Sequence, residues 1–190
     1  MEKNGKIRIC AYLRRLNYVT RPSPYPIPRV DESLEALSGS NTFCVLDMDN
    51  AYFQVGVDPA DKDKTAIITP FGCHRYSRMP FGCSEAPSTC ARLLDVVLKD
   101  VPSSSCVHYY DDVIVHGTDF DDVLAKLDCV LTRLQDAGLT LNPEKCELFR
   151  SSVTFLGHVV SSKGIGTDPQ KPESRENCGM ATAMQCEGTC

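Results

Sequence analysis

The alternation of apolar and polar positions changes period repeatedly along the chain, and each change predicts an element. GKIRICAYLRRLN (5–17) opens with charged and apolar residues in alternation, the pattern of a strand leading into a turn. TRPSPYPIPR (20–29) carries four prolines, which fix φ and remove backbone donors, so it reads as an extended connector. DESLEALSGS (31–40) starts on a capping aspartate and stops at Gly39, which predicts a short helix. TFCVLDM (42–48) is a compact apolar run ending in an acid, the pattern of a buried strand. KTAIITPFG (64–72) and HRYSRMPFG (74–82) read as two strands joined at Gly72. In SEAPSTCARLLDVVLKD (84–100), Pro87 stands near the start of a helix whose stripe is Leu93, Leu94, Val97 and Leu98. CVHYYDDVIVHG (106–117) is apolar on both sides of two acids, which predicts two strands with a tight turn at Asp111–Asp112. DFDDVLAKLDCVLTRLQDAG (119–138) shows the clearest helical period, with Val123, Leu124, Leu127, Val130, Leu131 and Leu134 on one face and Gly138 as its stop. LTLNPEKCELF (139–149) and VTFLGHVVSSKGI (153–165) read as short strands with turns. Past Lys171 the periodicity fades and large apolar residues become few, so 166–190 is expected to be an irregular, disordered tail.

Between 42 and 149 the predicted order is strand, an inserted strand pair at about 56–83, helix, strand, strand, helix, strand. Without the insertion this is β-α-β-β-α-β, the split βαβ unit of an α+β fold. That unit places its first strand beside the central hairpin. Asp47 and the Asp111–Asp112 pair, 64 positions apart, would then meet at one edge of a sheet.

Composition modifies this picture in two ways. The net charge of −5 argues against a uniformly basic nucleic-acid module, but residues 1–30 hold Lys3, Lys6, Arg8, Arg14, Arg15, Arg21 and Arg29 against a single Glu2. A basic amino-terminal lobe beside an acidic centre suits a polyanion that must also meet metal ions. The 11 cysteines are scattered, without a Cys-x-x-Cys pair or zinc spacing, and Cys44 and Cys106 fall inside apolar runs. That predicts core thiols in a reducing, intracellular setting, with neither a secretion signal nor a membrane span.

Three converging carboxylates repel one another, and burial raises their pKa values unless cations intervene. Hard oxygen donors favour Mg²⁺ or Mn²⁺, and two such ions can clamp the attacking and leaving oxygens of an in-line phosphoryl displacement. Taken alone, an Asp-Asp dipeptide more simply predicts a polar hairpin turn.

The surroundings of that dipeptide change the reading. VLDMDNAYFQV (45–55), MPFGCSEAPSTC (79–90), YYDDVIV (109–115) and FLGHVVSSKGI (155–165) follow one another in register with PYPIPRVDESLEAL and TPFGCHRYSRMPFG. Over about residues 3–171 the chain resembles the reverse transcriptases of gypsy-type LTR retrotransposons, and more distantly those of retroviruses. The resemblance implies a right-hand polymerase palm with partial fingers. It implies that Asp47, Asp111 and Asp112 are the catalytic aspartates and hold two Mg²⁺ ions, with Mn²⁺ as a substitute, and that the Met48 carbonyl assists. Tyr52 would lie beneath the incoming sugar and exclude a 2′-hydroxyl. Asn50 and Ala51 would line the triphosphate through backbone N–H groups, with Arg8 and Lys6 or Lys3 supplying charge from the fingers. Phe81 and Gly82 would line the nucleotide and template pocket. Tyr109 and Tyr110 of the Tyr-x-Asp-Asp box, and Leu156, Gly157 and His158, would face primer and template. Tyr12 and Leu13 stand where the family usually carries Asp-Tyr, and Asn50 where Asp or Lys is common; neither departure removes a metal ligand.

The implied division is 1–41 as partial fingers and connector, 42–165 as palm, and 166–190 as tail. The implied activity is RNA-directed DNA polymerisation. Its partners would be an RNA or DNA template, a DNA or tRNA primer and dNTPs, inside a cytoplasmic retrotransposon particle or the nucleus. The thumb and RNase H would come from the same polyprotein. Two other readings fit the sequence: a truncated, inert element remnant that binds nucleic acid weakly, and an RNA-dependent RNA polymerase, against which Tyr52 argues.

Overall fold

The computed structural model describes residues 2–3, 6–7, 10–21, 23, 25–26 and 28–167. A two-residue pair, β1 (Glu2–Lys3) and β2 (Lys6–Ile7), is followed by helices α1 (Arg14–Val19) and α2 (Val30–Glu35). Next come β3 (Thr42–Asp47), a 3₁₀ turn at Ala51–Gln54, and a hairpin of β4 (Ile67–Thr69) and β5 (Gly72–His74). Helix α3 (Ala86–Val97), β6 (Cys106–Tyr109), β7 (Asp112–Gly117) and α4 (Phe120–Asp136) lead to β8 (Glu147–Arg150). The described chain ends in β9 (Ser152–Phe155), β10 (His158–Ser161) and β11 (Gly164–Thr167).

The central sheet has the order β6-β7-β3-β8 with every adjacent pair antiparallel. This is the split βαβ arrangement expected from the sequence, and it belongs to the α+β class. Strand alternation divides the core in two. Cys44, Leu46, Val113 and Val115 face α3 and α4 and pack with Cys90, Leu94, Val123, Leu127, Val130 and Leu134. Phe43 and Ile114 face the other way and pack with Leu34, Leu37, Val153, Phe155 and Val160. The sheet is therefore buried on both sides, which explains the near-continuous apolar runs of β3 and β7. Helix α4 is capped as its sequence predicts: the Asp119 side chain accepts a hydrogen bond from the Asp122 N–H.

Several expectations need correction. Residues 14–19 form α1 where a turn was expected; α1 buries no residue, so no apolar stripe announces it. It is held instead by Asn17, whose amide donates to the Gly82 carbonyl and accepts from the Ser84 N–H. Helix α2 begins at Val30 with Arg29 as an N-cap whose side chain makes no capping hydrogen bond, and Asp31 sits in the first turn, where its charge complements the helix dipole. The hairpin turn is Tyr110–Asp111, one residue earlier than expected, because Asp112 pairs with Tyr109 and continues the strand. Burying Val113 and Val115 on one face and Ile114 on the other fixes that register, since a one-residue slip would reverse every side chain. In the insertion the second strand ends at His74, and 75–82 is irregular. In 139–149 only Glu147–Arg150 is strand; Asn142 accepts from the Lys145 and Cys146 N–H groups in a turn. At the other end, β11 runs to Thr167, two residues beyond the boundary placed at 165; residues 168–190 lie outside the described chain.

Leu124 and Leu131, both counted in the predicted face of α4, remain 46% and 39% exposed, while Phe43 is fully buried. Phe43→Ala should lower the free energy of urea unfolding by about 3–5 kcal/mol. Leu124→Ala should stay within about 0.5 kcal/mol of the parent.

Candidate active site

Asp47 ends β3 and stands directly opposite Asp112 of β7. Paired residues of antiparallel strands share a face, so the two carboxylates are cross-strand neighbours with Cβ atoms about 5 Å apart. Like charges in that position destabilise a sheet. Asp111 occupies the adjoining turn, where Tyr110 takes a φ of 56°. A positive φ at the first of two loop residues is what a II′ hairpin requires, and a glycine usually supplies it. Holding a tyrosine there costs on the order of 1 kcal/mol, offset in part by the edge contact of its ring with Tyr109 at 4.8 Å.

The electrostatics follow from this placement. Burial, then Asp111, then Asp47 push the Asp112 carboxyl up to about 6, against the lowering effect of Lys145. Lys145 spans both carboxylate oxygens of Asp47, with Nζ at 2.8 Å from Oδ1 and 3.0 Å from Oδ2. It is a cation that the sequence reading did not find, because it lies 98 residues from its partner in an ordinary turn, NPEKC. The expected convergence is therefore partial. Asp47, Asp111 and Asp112 are adjacent, but among the described residues no three His, Cys, Asp or Glu side chains are gathered closely enough to hold a metal ion. The side-chain partner of Asp47 is Lys145. The donor set nonetheless fits a hard divalent ion: all ligating atoms are oxygen, and one ammonium against three carboxylates leaves a net negative charge.

Met48 extends this donor set. Beyond Asp47 the strand meets 139–142 through hydrogen bonds from Asp49 N–H to the Thr140 carbonyl and from Asn142 N–H to the Asp47 carbonyl. Those flanking bonds make Met48 and Leu141 a bridge pair, so the Met48 carbonyl points to the opposite edge, toward the hairpin tip. Asn50 follows in a left-handed conformation, φ 47° and ψ 53°, and starts the 3₁₀ turn. Ala51 and Tyr52 lead that turn, so their N–H groups have no acceptor within it. Gln54 fixes this loop from behind. Its amide donates to the carbonyls of Asp49 and Thr140 at 2.6 and 2.8 Å and accepts from the Thr140 N–H at 2.8 Å.

Tyr52 is half-buried against Phe81, ring centroids 5.2 Å apart, and Phe53 meets the same ring edge-on at 5.2 Å. Burial, followed by the nearby Asp111 carboxylate, pushes the Tyr52 phenol up to about 12, so it remains a neutral donor. Gly82 adopts a φ of +105°, and a Cβ there would lie 2.2 Å from the Ala11 carbonyl oxygen. Only glycine fits, because the obstacle is backbone; Ala11 N–H also donates to the Phe81 carbonyl at 2.8 Å. The amino-terminal segment thus clamps the loop that carries Phe81.

On the face of the sheet that carries Phe43, Ile114 and, by strand alternation, Asp47 and Asp112, Leu156 and Gly157 form the two-residue tip between β9 and β10, both at positive φ, with His158 opening β10 opposite Phe155. Leu156 and Tyr109 both pack against the apolar cluster on this face. Of the expected fingers cations, Arg8 lies outside the described residues, and for Lys3 and Lys6 only the backbone of β1 and β2 is described.

Comparison with known proteins agrees with this geometry. The family described as "Reverse transcriptase (RNA-dependent DNA polymerase)" matches residues 1–160. The chain is 37% identical over 167 residues to the retrovirus-related Pol polyprotein from transposon 297 of Drosophila melanogaster, covering 88% of this chain and 16% of that protein. It is 32% identical over 164 residues to the transposon Tf2-3 polyprotein of Schizosaccharomyces pombe, covering 86% of this chain and 12% of that one. Among solved structures, the foamy viral protease-reverse transcriptase in complex with dsDNA superposes with a TM-score of 0.81 at 22% identity, over 89% of this chain and 35% of that one. The same viral protein in complex with RNA/DNA hybrid gives 0.76 at 22% identity, over 82% and 21%. The gypsy-type retrotransposon likeness and the palm-and-fingers fold expected from the sequence are borne out. The chain spans about a sixth of the Drosophila relative's length.

The raised pKa of Asp112 has a direct consequence for stability. In the folded chain Asp112 holds its proton up to about pH 6, whereas in the unfolded chain it releases it near 3.8. Folded molecules bind more protons between those values, so its contribution to stability falls as pH rises through that window. Asp112→Asn should therefore unfold at higher urea than the parent at pH 7 in the absence of divalent ions. The difference should vanish below about pH 4.

Proposed function

This chain belongs to the reverse transcriptase family, and from that premise we propose that it is the polymerase segment of a retrotransposon Pol polyprotein, adding deoxynucleotides to a primer 3′ end on an RNA or DNA template. The observation that carries the proposal is the placement of Asp47 opposite Asp112 with Asp111 in the adjoining turn. Three carboxylates at one sheet edge oppose folding, and a site for divalent cations accounts for them. Members of this family use divalent metal ions; here Asp47, Asp111 and Asp112 would hold two Mg²⁺ ions, with the Met48 carbonyl beside them. Ions bound there would favour the deprotonated primer 3′-hydroxyl and offset charge on the leaving pyrophosphate.

The rest of the work is positioning. The hairpin is anchored by the pairing of β6 with β7 and of β7 with β3 and by the buried Val113, Ile114 and Val115, which positions Asp111 and Asp112 for an entering nucleotide. The N–H groups of Asn50 and Ala51, at the start of the 3₁₀ turn, face the triphosphate. Tyr52, braced by Phe81 and too high in pKa to ionise, lies beneath the sugar and leaves no room for a 2′-hydroxyl. The Leu156–Gly157–His158 tip and Tyr109 support the primer terminus, while Arg8 with Lys6 approaches the phosphates from the fingers. On this reading residues 1–41 and the 56–83 insertion are fingers, 42–165 is palm, and the thumb and RNase H belong to the same polyprotein.

The test places this chain in the polyprotein of its Drosophila relative, replacing the matched segment, and follows primer extension on an RNA template with Mg²⁺ and dNTPs. Extension is expected, and Asp111→Asn should reduce it by at least about a hundredfold. Near-parental extension by Asp111→Asn would sink the assignment. In the same assay Tyr52→Val should raise incorporation of ribonucleotides relative to deoxynucleotides by at least about tenfold; an unchanged ratio would remove Tyr52 from the sugar site.

A further inference from the structure

The turn that carries Tyr52 has little to hold it from within. It is a four-residue 3₁₀ turn, Ala51–Gln54, entered from the left-handed Asn50. Turns of this kind have poorer hydrogen-bond geometry than an α-helix and run for only a few residues. Contacts from outside therefore decide where the Tyr52 ring lies. One is the Phe81 ring, on which Tyr52 and Phe53 both rest. The other is the side chain of Gln54, two positions beyond Tyr52.

Gln54 uses its amide as a strand residue uses its backbone. The NH₂ group donates to the Asp49 and Thr140 carbonyls at 2.6 and 2.8 Å, and Oε1 accepts from the Thr140 N–H at 2.8 Å. Leu141, next to Thr140, bridges Met48, so this one side chain ties the turn to the strand end that presents Asp47. The Gln54 carbonyl accepts from Arg78 Nη1 at 2.7 Å, and the Val55 carbonyl accepts from the Met79 N–H at 2.9 Å. Those two bonds tie the turn to the segment that leads to Phe81. A carboxylate could not make the two donations, and asparagine is one carbon shorter. Both N–H donors of the Gln54 amide are spent on carbonyls of the chain, so neither is left for a ligand.

We propose that Gln54 is a positioning residue for sugar discrimination: it fixes the 3₁₀ turn to Thr140 and so holds the Tyr52 ring where a 2′-hydroxyl would collide with it. The proposal rests on the reading of Tyr52 as the residue beneath the incoming sugar. Gln54 does not touch the nucleotide; its whole effect passes through Tyr52.

The test uses this chain in the polyprotein of its Drosophila relative and compares ribonucleotide with deoxynucleotide incorporation. The ratio of the two does not depend on how much of the enzyme is folded. Gln54→Met keeps the length of the side chain and loses all three of its bonds. It should raise the ribonucleotide share at least about fivefold. Gln54→Glu keeps an acceptor for the Thr140 N–H and loses both donors, and should shift the ratio in the same direction. In a Tyr52→Val background, Gln54→Met should add less than about twofold, because the ring it places is gone. An unchanged ratio in both Gln54 variants, an equal rise with and without Tyr52, or loss of all extension in both Gln54 variants would overturn the proposal and leave the polymerase reading standing. An unchanged ratio in Tyr52→Val would remove the sugar site and this inference together, and no extension by the parent chain would overturn the polymerase reading itself, and this inference with it.

Discussion

The register of β3 on β7 is the constraint on which the rest of the molecule depends. It sets Asp47 opposite Asp112 and carries the hairpin that presents Asp111. Nothing in the two carboxylates favours that register, since they repel. It is imposed by apolar burial on both faces: Val113 and Val115 against the helices, Ile114 against α2 and the β9–β10 sheet. A one-residue slip would turn three fully buried side chains to the wrong layers, a far larger penalty than one cross-strand repulsion. The two-sided core thus holds charges where they would not settle by themselves.

Around that register the loops are tied by polar contacts of high specificity. Gln54 joins the turn after β3 to the segment after α4 with three hydrogen bonds. Asn17 joins α1 to the loop after Phe81 with two. Gly82 allows the two backbones to touch. Each contact links elements distant in sequence, so the surroundings of Tyr52 depend on the amino-terminal segment and on the loop beyond α4 together.

Much of this was legible in the sequence. Helix α4 was visible from its period and cap, and β3, α3 and the hairpin strands from theirs. The motifs beginning at Val45, Met79, Tyr109 and Phe155 pointed to the family before any fold was known. What escaped has a common physical origin. Helix α1 buries no side chain, so hydrophobic periodicity could not find it. The turn was misplaced by one residue because two adjacent aspartates look more like a loop than Tyr110 does. Asp112 is a strand residue kept charged-capable in a half-buried place, against its propensity. Lys145, Gln54 and Asn17 act through contacts across 98, 86 and 65 positions, and no local pattern encodes such pairs. The Tyr25 hydroxyl, which donates to Asp95 Oδ2, and His108 Nε2, 2.9 Å from Asp95 Oδ1, are of the same kind, joining a proline-rich connector, a helix and a strand.

The bridge from Lys145 to Asp47 has a further consequence. Asp47 already has a tethered monovalent counter-ion in the Lys145 ammonium. A dication held by Asp47 would compete with that ammonium, and Lys145 would stay within a side chain's length of the site because the turn before β8 holds its backbone. That exchange would leave a positive charge at the margin of the carboxylates rather than between them.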